Sequence, residues 1–236
     1  MDAAGYTTLT RQSGLMREMQ VVANNIANIS TNGFRREGVM FEEYISGGQD
    51  GPSLSMATGD VRVIDLTQAG ITRTGAAFDF AIQGEGFFQL QTPNGPRLTR
   101  AGSFTPAPTG ELVNNDGYRL LDGGGAPVIV PPNAMAISVS QDGTVSADGA
   151  PLAQIGLWQA ADPLTLQHQA GTMFSANAVV PAQSAKLMQG YLEDSNVNPV
   201  LEIARMIEVQ RAYEMGQSFM DLEDKRMRGV VDTLGR

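Results

Sequence analysis

Residues 198–234 read NPVLEIARMIEVQRAYEMGQSFMDLEDKRMRGVVDTL, and this stretch decides the fold. A large apolar side chain recurs in it at every seventh position, at Met206, Tyr213, Met220, Met227 and Leu234. Such a repeat places these side chains in one stripe along a helix, and a stripe of this kind is buried by a partner helix. We therefore predict a long C-terminal helix that packs against another helix.

The start of this helix has the residues that favour a helix N-terminus. Asn198 is a good N-cap, Pro199 suits the first helical position, and Glu202 places a negative charge in the first turn. From Pro199 to Leu234 the helix would span 36 residues, or about 54 Å. Helices of this length are typical of coiled coils and bundles.

A matching stripe lies near the N-terminus. Leu15, Met19, Val22, Ile26 and Ile29 follow one another at steps of 4, 3, 4 and 3 residues. This spacing predicts a helix from about residue 6 to about residue 29, and the Asn- and Gly-rich residues 28–33 then predict its end. Because each stripe needs a partner, we predict that the two ends of the chain pack together.

The middle of the chain has a β-type pattern. Proline is absent before residue 52, and eleven of the 12 prolines lie between residues 52 and 181. Short apolar runs predict strands, and the dipeptides between them are typical of hairpin turns. The predicted strands include Phe87–Leu90, Tyr118–Leu121, Pro127–Val130 and Ala136–Val139. The predicted turns are Asn94-Gly95, Asp116-Gly117, Asp142-Gly143 and Asp148-Gly149.

These patterns predict an α+β protein with a discontinuous helical coiled-coil domain, made from both termini, and an inserted, mainly antiparallel β domain. Residues 1–33 and 195–236 form the predicted helical assembly domain, residues 34–75 a connecting segment and residues 76–194 the β domain. Residues 46–60, which are rich in Gly and include Pro52, are predicted to be a flexible connection.

Composition excludes several classes of protein. The chain has no Cys and a single His, so neither a Cys-based site nor a typical zinc site is expected. Residues 37–194 contain six basic and sixteen acidic side chains, a balance that argues against a nucleic-acid partner. No apolar run is long enough to span a bilayer, and no cleavable signal peptide is predicted. We predict no catalytic residues, no cofactor and no metal.

Four stretches of the chain resemble the bacterial flagellar rod, hook and hook-associated protein family. Residues 23–35, ANNIANISTNGFR, match the N-terminal family pattern ANNLANxxTxGF/Y-K/R, with Ile26 in place of Leu. Residues 79–88, DFAIQGEGFF, and residues 98–117, which contain LTRAGSF, GELV and DG, match two middle patterns. Residues 192–214, which contain LEDSNVN and QRAYE, match the C-terminal pattern. The four stretches follow the family order and span almost the whole chain.

The resemblance implies a structural subunit of the flagellar basal-body rod, of the proximal type, with no enzymatic activity. Its partners would be like copies, other rod subunits and the flagellar export apparatus, and it would cross the periplasm within the rod without inserting in a membrane. The Asn residues of the N-terminal motif would either fix the register between neighbouring helices or belong to an ordinary frayed helix end. The residues expected at the assembly interface are Leu15, Met19, Val22, Asn24, Asn25, Ile26, Asn28, Ile29, Asn196, Asn198, Met206, Ile207, Gln210, Tyr213, Met220 and Met227.

Other interpretations stay open at this point. A distal-rod or hook-type axial subunit would share the same motifs. From different classes, a secreted coiled-coil fibre or adhesin would have similar terminal helices, and a carbohydrate-active β enzyme would need a carboxylate pair that the sequence alone does not identify.

Overall fold

The computed structural model describes residues 3–46 and 54–234, and these contain two long helices, one 3-10 turn and eighteen strands. Helix α1 spans Ala3–Ala27, and helix α2 spans Pro199–Leu234. The 3-10 turn spans Pro163–Thr165. The side-chain oxygen of Asn198 accepts hydrogen bonds from the backbone N–H groups of Val200 (3.1 Å) and Leu201 (3.2 Å), so the predicted N-cap of α2 is confirmed.

The chain forms two compact units. The first, named here the helical unit, contains α1, strand β1 (Glu37–Ser46), strand β2 (Leu54–Ile64) up to Val63, and α2. The second, named here the β unit, contains Asn28–Arg36 and Ile64–Val197. The α+β class, with one helix at each end of a mainly antiparallel β region, is confirmed.

The predicted flexible connection over residues 46–60 is wrong for its second part. Strand β2 begins at Leu54 and pairs with β1 in a two-stranded sheet. The breakers Gly51 and Pro52 precede this strand, whereas Leu54, Met56, Val61 and Val63 supply the apolar and β-branched residues that favour a strand. Residues 47–53 of the predicted connection lie outside the described residues.

The β unit contains sixteen short strands among its described residues. They are β3 (Ile71–Arg73), β4 (Phe80–Gln83), β5 (Phe87–Thr92), β6 (Gly95–Thr99), β7 (Thr105–Pro106), β8 (Leu112–Val113), β9 (Arg119–Leu120), β10 (Ile137–Val139), β11 (Thr144–Ala147), β12 (Ala150–Gln154), β13 (Leu157–Ala160), β14 (Gln167–His168), β15 (Met173–Ser175), β16 (Val179–Pro181), β17 (Lys186–Gln189) and β18 (Tyr191–Glu193).

The largest sheet of the β unit has nine strands. Its main path runs β14-β15-β6-β5-β9-β8-β7, and β13 pairs with both β5 and β16 beside that path. Strands β10, β11 and β12 form a separate three-stranded sheet, and the pairs β17-β4 and β18-β3 complete the unit. Every strand pairing in the β unit is antiparallel.

The four predicted turn dipeptides lie between paired strands. Each contains a Gly with positive φ, and Asp148 also has a φ of 51°, as both central residues of a type I′ turn require. The prediction of a strand over Pro127–Val130 is wrong, because these residues make only isolated bridges, from Pro127 to Leu121 and from Ile129 to Glu111.

Two apolar clusters form the core of the β unit. The larger contains Phe80, Phe88, Phe104 and ten other buried residues, and the smaller contains Phe87, Leu98, Leu166 and Phe174. The rings of Phe88 and Phe104 meet edge to face, with their centroids 5.6 Å apart. This packing fixes the strand register, because a slip of one residue would turn these side chains out of the core.

Gly102 lies where two backbone segments meet in this core. A Cβ atom at this position would lie 1.7 Å from the carbonyl oxygen of Phe80, whose backbone N–H also donates a 2.8 Å hydrogen bond to the Gly102 carbonyl. At Gly123, by contrast, a Cβ atom would have only ordinary contact, with the Gln154 carbonyl oxygen at 4.0 Å.

We predict that Gly102→Ala destabilises the β unit by more than about 3 kcal/mol, because the added methyl group forces two paired segments apart. The matched variant Gly123→Ala should change the stability by less than about 0.5 kcal/mol. Urea unfolding followed by the fluorescence of Trp158, the single Trp of the chain, measures both variants. Equal stability of the two variants would contradict this account of the packing.

Candidate assembly interface

Helices α1 and α2 pack against each other in the helical unit, and their order of contacts shows that they are antiparallel. Asn25 meets Glu202, Glu18 meets Arg205, and Gln12 meets Gly216. As the residue number falls along α1, it rises along α2. The prediction that the two terminal helices pack together is therefore confirmed within a single chain.

The Asn25 side chain joins three elements of the helical unit. It is fully buried, and its Nδ2 donates to the Glu37 carbonyl oxygen (2.8 Å) and to Oε2 of Glu202 (3.1 Å). Its Oδ1 accepts a hydrogen bond from the Glu37 backbone N–H (3.0 Å). The end of α1, the start of β1 and the first turn of α2 are thereby held at one point. These hydrogen bonds of the amide thus join elements of a single chain.

A second polar contact joins the two helices one turn further along. Nε and Nη2 of Arg205 both bind Oε1 of Glu18, at 2.6 and 2.5 Å, and Nη1 binds Oε2 of Glu208 at 3.2 Å. Burial acts to lower the pKa of Arg205, but its hydrogen bonds and charge interactions with Glu18 and Glu208 outweigh burial and raise this pKa. Glu18 itself is buried, so the ion pair joins α1 to α2 at a site that is partly shielded from solvent.

Apolar side chains fill the contact between these polar ties. Leu15 and Val22 of α1 and Val209 of α2 are buried, and Met19, Ile26, Met206, Tyr213 and Met220 are half-buried. The stripe of α2 residues at every seventh position therefore faces α1 as far as Met220. Met227 is 48% exposed, so the predicted stripe extends beyond the part of α2 that its own chain covers.

The rest of the α2 surface carries exposed apolar residues among exposed charged ones. Its exposed large apolar residues are Val200, Leu201, Ile203, Ile207, Met215, Phe219, Leu222, Met227 and Val230. Of the other predicted interface residues, Asn198 and Gln210 are exposed, and Asn24 is half-buried. Exposed apolar side chains in this number are typical of protein–protein contact surfaces in soluble proteins.

A groove of about 360 Å³ lies between α1 and α2, near the N-terminal half of α1. Its floor is formed by Gln12, whose Nε2 atom is buried and has no hydrogen-bond partner. Gly216 leaves room for this side chain, because a Cβ atom there would lie 3.2 Å from Gln12 Nε2. The groove therefore has a polar floor with an unused donor, and its walls carry Leu15, Met215 and Phe219 together with Arg11.

In the β unit, two arginines share one buried glutamate. Arg35 Nη2 lies 2.9 Å from Glu193 Oε1, and Arg100 Nε lies 2.5 Å from Glu193 Oε2. Arg100 also donates to the carbonyl oxygens of Gly86, Ile82 and Gly84, and Arg35 donates to that of Thr67. Burial and then the neighbouring charge of Arg100 lower the pKa of Arg35, against the opposing effect of Glu193.

This buried cluster fixes the segments of the β unit that adjoin the two helices in sequence. Gly33 has a φ of 71° and packs on the backbone of Arg100 and Ala101. Its backbone N–H donates a hydrogen bond to the Glu193 carbonyl oxygen (2.8 Å). The Asn196 amide accepts the Arg36 N–H (2.6 Å) and donates to the carbonyl oxygen of Asp65 (2.9 Å). Three predicted interface residues, Asn28, Ile29 and Asn196, belong to the β unit and are half-buried there.

Sequence reasoning assigned no role to six of the residues that hold these clusters: Glu18, Arg35, Glu37, Arg100, Glu193 and Arg205. Arg35, Arg100 and Glu193 each lie in one of the family motifs, which is the signal that could have identified them. Glu18, Glu37 and Arg205 have no such signal, because buried charges look like surface charges in a sequence pattern.

Within residues 3–46 and 54–234, no group of three or more His, Asp or Glu side chains is arranged to hold a metal ion. Neither helix in the described part of the chain combines the length and the apolar content needed to cross a membrane.

Comparison with known proteins assigns this architecture to a family. Residues 6–35 match the model of the flagella basal body rod protein, residues 81–147 that of the flagellar hook protein FlgE/F/G D1 domain, and residues 188–231 that of the flagellar basal body rod FlgEFG protein C-terminal region. The flagellar basal-body rod protein FlgF of Caulobacter vibrioides is 38% identical over 245 residues, which cover 100% of this chain and 99% of the relative.

The chain belongs to the flagellar basal-body rod protein family. FlgF of Rhizobium meliloti is 34% identical over 100% of the chain and 99% of the relative. FlgG of Bacillus subtilis is 29% identical over 96% of the chain and 97% of the relative. The predicted likeness to the FlgF type of this family is thus confirmed. The three matched regions together contain Asn25 and the three residues of the buried Arg–Glu–Arg cluster.

We predict that Asn25→Leu lowers the stability of the helical unit by about 3 kcal/mol or more, because it leaves the Glu37 backbone and the Glu202 carboxylate without their amide partner. The matched variant Gln20→Leu, on the exposed side of α1, should change stability by less than about 0.5 kcal/mol. Urea unfolding followed by circular dichroism at 222 nm measures the effect, because both long helices belong to this unit. Equal midpoints for the two variants would contradict the role of Asn25.

We predict the opposite result for Gln12→Met. Replacing the amide by a thioether of similar length removes a buried donor that has no partner, so the helical unit should gain about 1 kcal/mol. The same circular dichroism measurement applies. A loss of stability would show that the amide makes a favourable interaction in solution.

Proposed function

We propose that this chain is a structural subunit of the proximal part of the flagellar basal-body rod. The observation that carries the proposal is the exposed apolar surface of α2, in a chain whose motifs match the rod family from residue 6 to residue 231. The packing of α1 against α2 leaves this surface uncovered. Neighbouring subunits would bury it, and the packed helices of many subunits would form the wall of the rod.

The proposed mechanism is mechanical. Helix α2 has 36 residues and a length of about 54 Å, so it can contact several neighbours along its length. Contacts between unlike faces of identical subunits form a ring when the rotation between copies closes, and an open helical assembly when it does not. The proposed rod uses the helical case. A wall built in this way would transmit motor torque to the hook by the stiffness of its packed helices. The terminal helices would act as coiled-coil elements in these contacts.

The proposed partners are like copies and the other axial subunits of the rod. The chain would reach the periplasm through the flagellar export apparatus. The match to relatives named FlgF supports the proximal position rather than the distal one. Among the described residues, no contact favours a carbohydrate-active enzyme or a secreted fibre.

The direct test is to locate the chain in the cell. We predict that a deletion strain is non-motile and that a copy with an epitope inserted between the exposed residues Pro132 and Asn133 restores swimming. Immunoblots and gold labelling of purified basal bodies should then find the epitope in the rod.

The matched control is the same tagged chain with a stop codon at Pro199, which lacks α2 but keeps the β unit. It should be absent from basal bodies. Swimming of the deletion strain, or recovery of the full tagged chain only outside the basal body, would contradict the proposed function.

A further inference from the structure

Two surfaces of the helical unit that combine apolar and polar side chains lie on different sides of α2. The first, named here the ridge, is formed by Ile203, Ile207, Gln210 and Glu214, which fall within about 60° of one another at 100° per residue. Ile203 is 52% exposed and Ile207 is 44% exposed. The ridge thus presents two branched apolar side chains, then an amide, then a carboxylate.

The second surface is the groove between α1 and α2. Its walls include Leu15 and Arg11 of α1 and Met215 and Phe219 of α2. Met215 is 66% exposed and Phe219 is 46% exposed, so the groove is open to a partner. These two side chains point about 120° away from the ridge around the helix axis. A single pair of subunits therefore cannot bring both surfaces of both copies together in a closed dimer.

The two surfaces carry opposite charges that are not used within the described residues. Arg11 at the groove and Glu214 on the ridge are both exposed, and neither makes an ion pair with another described residue. Such a pair of unlike charges favours one orientation of docking and disfavours others. Because both charges belong to this chain, a second copy offers the complement of each.

The dimensions of the two surfaces also agree. Ile207 and Glu214 are seven residues apart, or about 10.5 Å along the helix. Ala212 and Phe219, which mark the ends of the groove on α2, have the same separation. When Ile207 packs at the Leu15 end of the groove, Glu214 therefore lies at the end near Thr8 and Arg11.

We propose that the ridge of one copy docks in the α1–α2 groove of a second copy of this chain, with Glu214 paired to Arg11. This inference rests on the proposed assembly of rod subunits and names the contact that builds it. Each copy contributes its ridge to one neighbour and its groove to another, so the contact is heterologous, which is the type of contact that builds open helical assemblies when the rotation between copies does not close. The contact is small, and it becomes stable only where many copies align.

Crosslinking in assembled rods tests the contact. The chain has no native Cys, so cells can make two differently tagged copies, one with Gln210→Cys on the ridge and one with Met215→Cys in the groove. Both positions are exposed, and circular dichroism of each purified variant checks the fold. A short bis-maleimide reagent should then give a dimer that carries both tags. Replacing Gln210→Cys by Gln20→Cys, on the outer side of α1, should lower this yield at least about tenfold.

Charge reversal gives an independent arm of the test. Arg11→Glu alone, or Glu214→Arg alone, on every copy should lower the crosslink yield at least about tenfold, because like charges then meet in the contact. Both substitutions on the same chain should restore it. Arg73→Glu, at an exposed residue of the β unit, is the matched control and should leave the yield unchanged.

The outcomes separate this inference from the proposed function. If the chain is present in rods but the Gln210 and Gln20 variants crosslink equally, or the groove cysteine crosslinks to a different rod protein, the inference fails and the proposed function stands. Failure of the double charge reversal to restore the yield also overturns the pairing of Arg11 with Glu214. Absence of the chain from rods overturns both.

Discussion

The fold of the helical unit depends on one buried amide. Asn25 and Glu202 are 177 residues apart in the chain, yet Nδ2 of Asn25 binds Oε2 of Glu202 and the same side chain binds both backbone groups of Glu37. Each of these groups is buried, so each needs its partner in the native state. The amide therefore sets where α2 begins relative to α1, and the apolar stripes of both helices then meet along their length.

This arrangement explains why the chain has so much exposed apolar surface. Helix α1 covers only one side of α2, and α2 is longer than α1 by eleven residues, since they have 36 and 25 residues. The other sides of α2 carry Ile, Met, Leu and Phe side chains that a monomer leaves in water. Such a surface would be buried when the subunit packs with its neighbours. Arg11 and Glu214, which make no ion pair with another described residue, would direct this packing.

Much of the architecture could be predicted from the sequence, because helix caps, apolar periods and turn dipeptides are local. The Asn198 cap is one example, and the Asn94-Gly95 turn is another. The partners of Asn25 could not be predicted, since they lie far away in the sequence and a polar residue in an apolar stripe has several possible uses. The same limit applies to Glu193, whose two arginine partners come from separate motifs. Strand β2 was missed because the glycines before it resemble those of a loop.

The most direct test of the account is hydrogen exchange of the dilute monomer. If intrachain ties at Asn25 and Arg205 pair the helices before assembly, backbone amides in residues 15–25 and 202–213 should exchange at least about 1000-fold more slowly than in an unfolded chain. Residues 224–234, which α1 does not cover, should exchange much faster than these. Exchange of residues 15–25 and 202–213 at the rate of an unfolded chain would show that the helices pair only in the rod, and it would contradict the central claim.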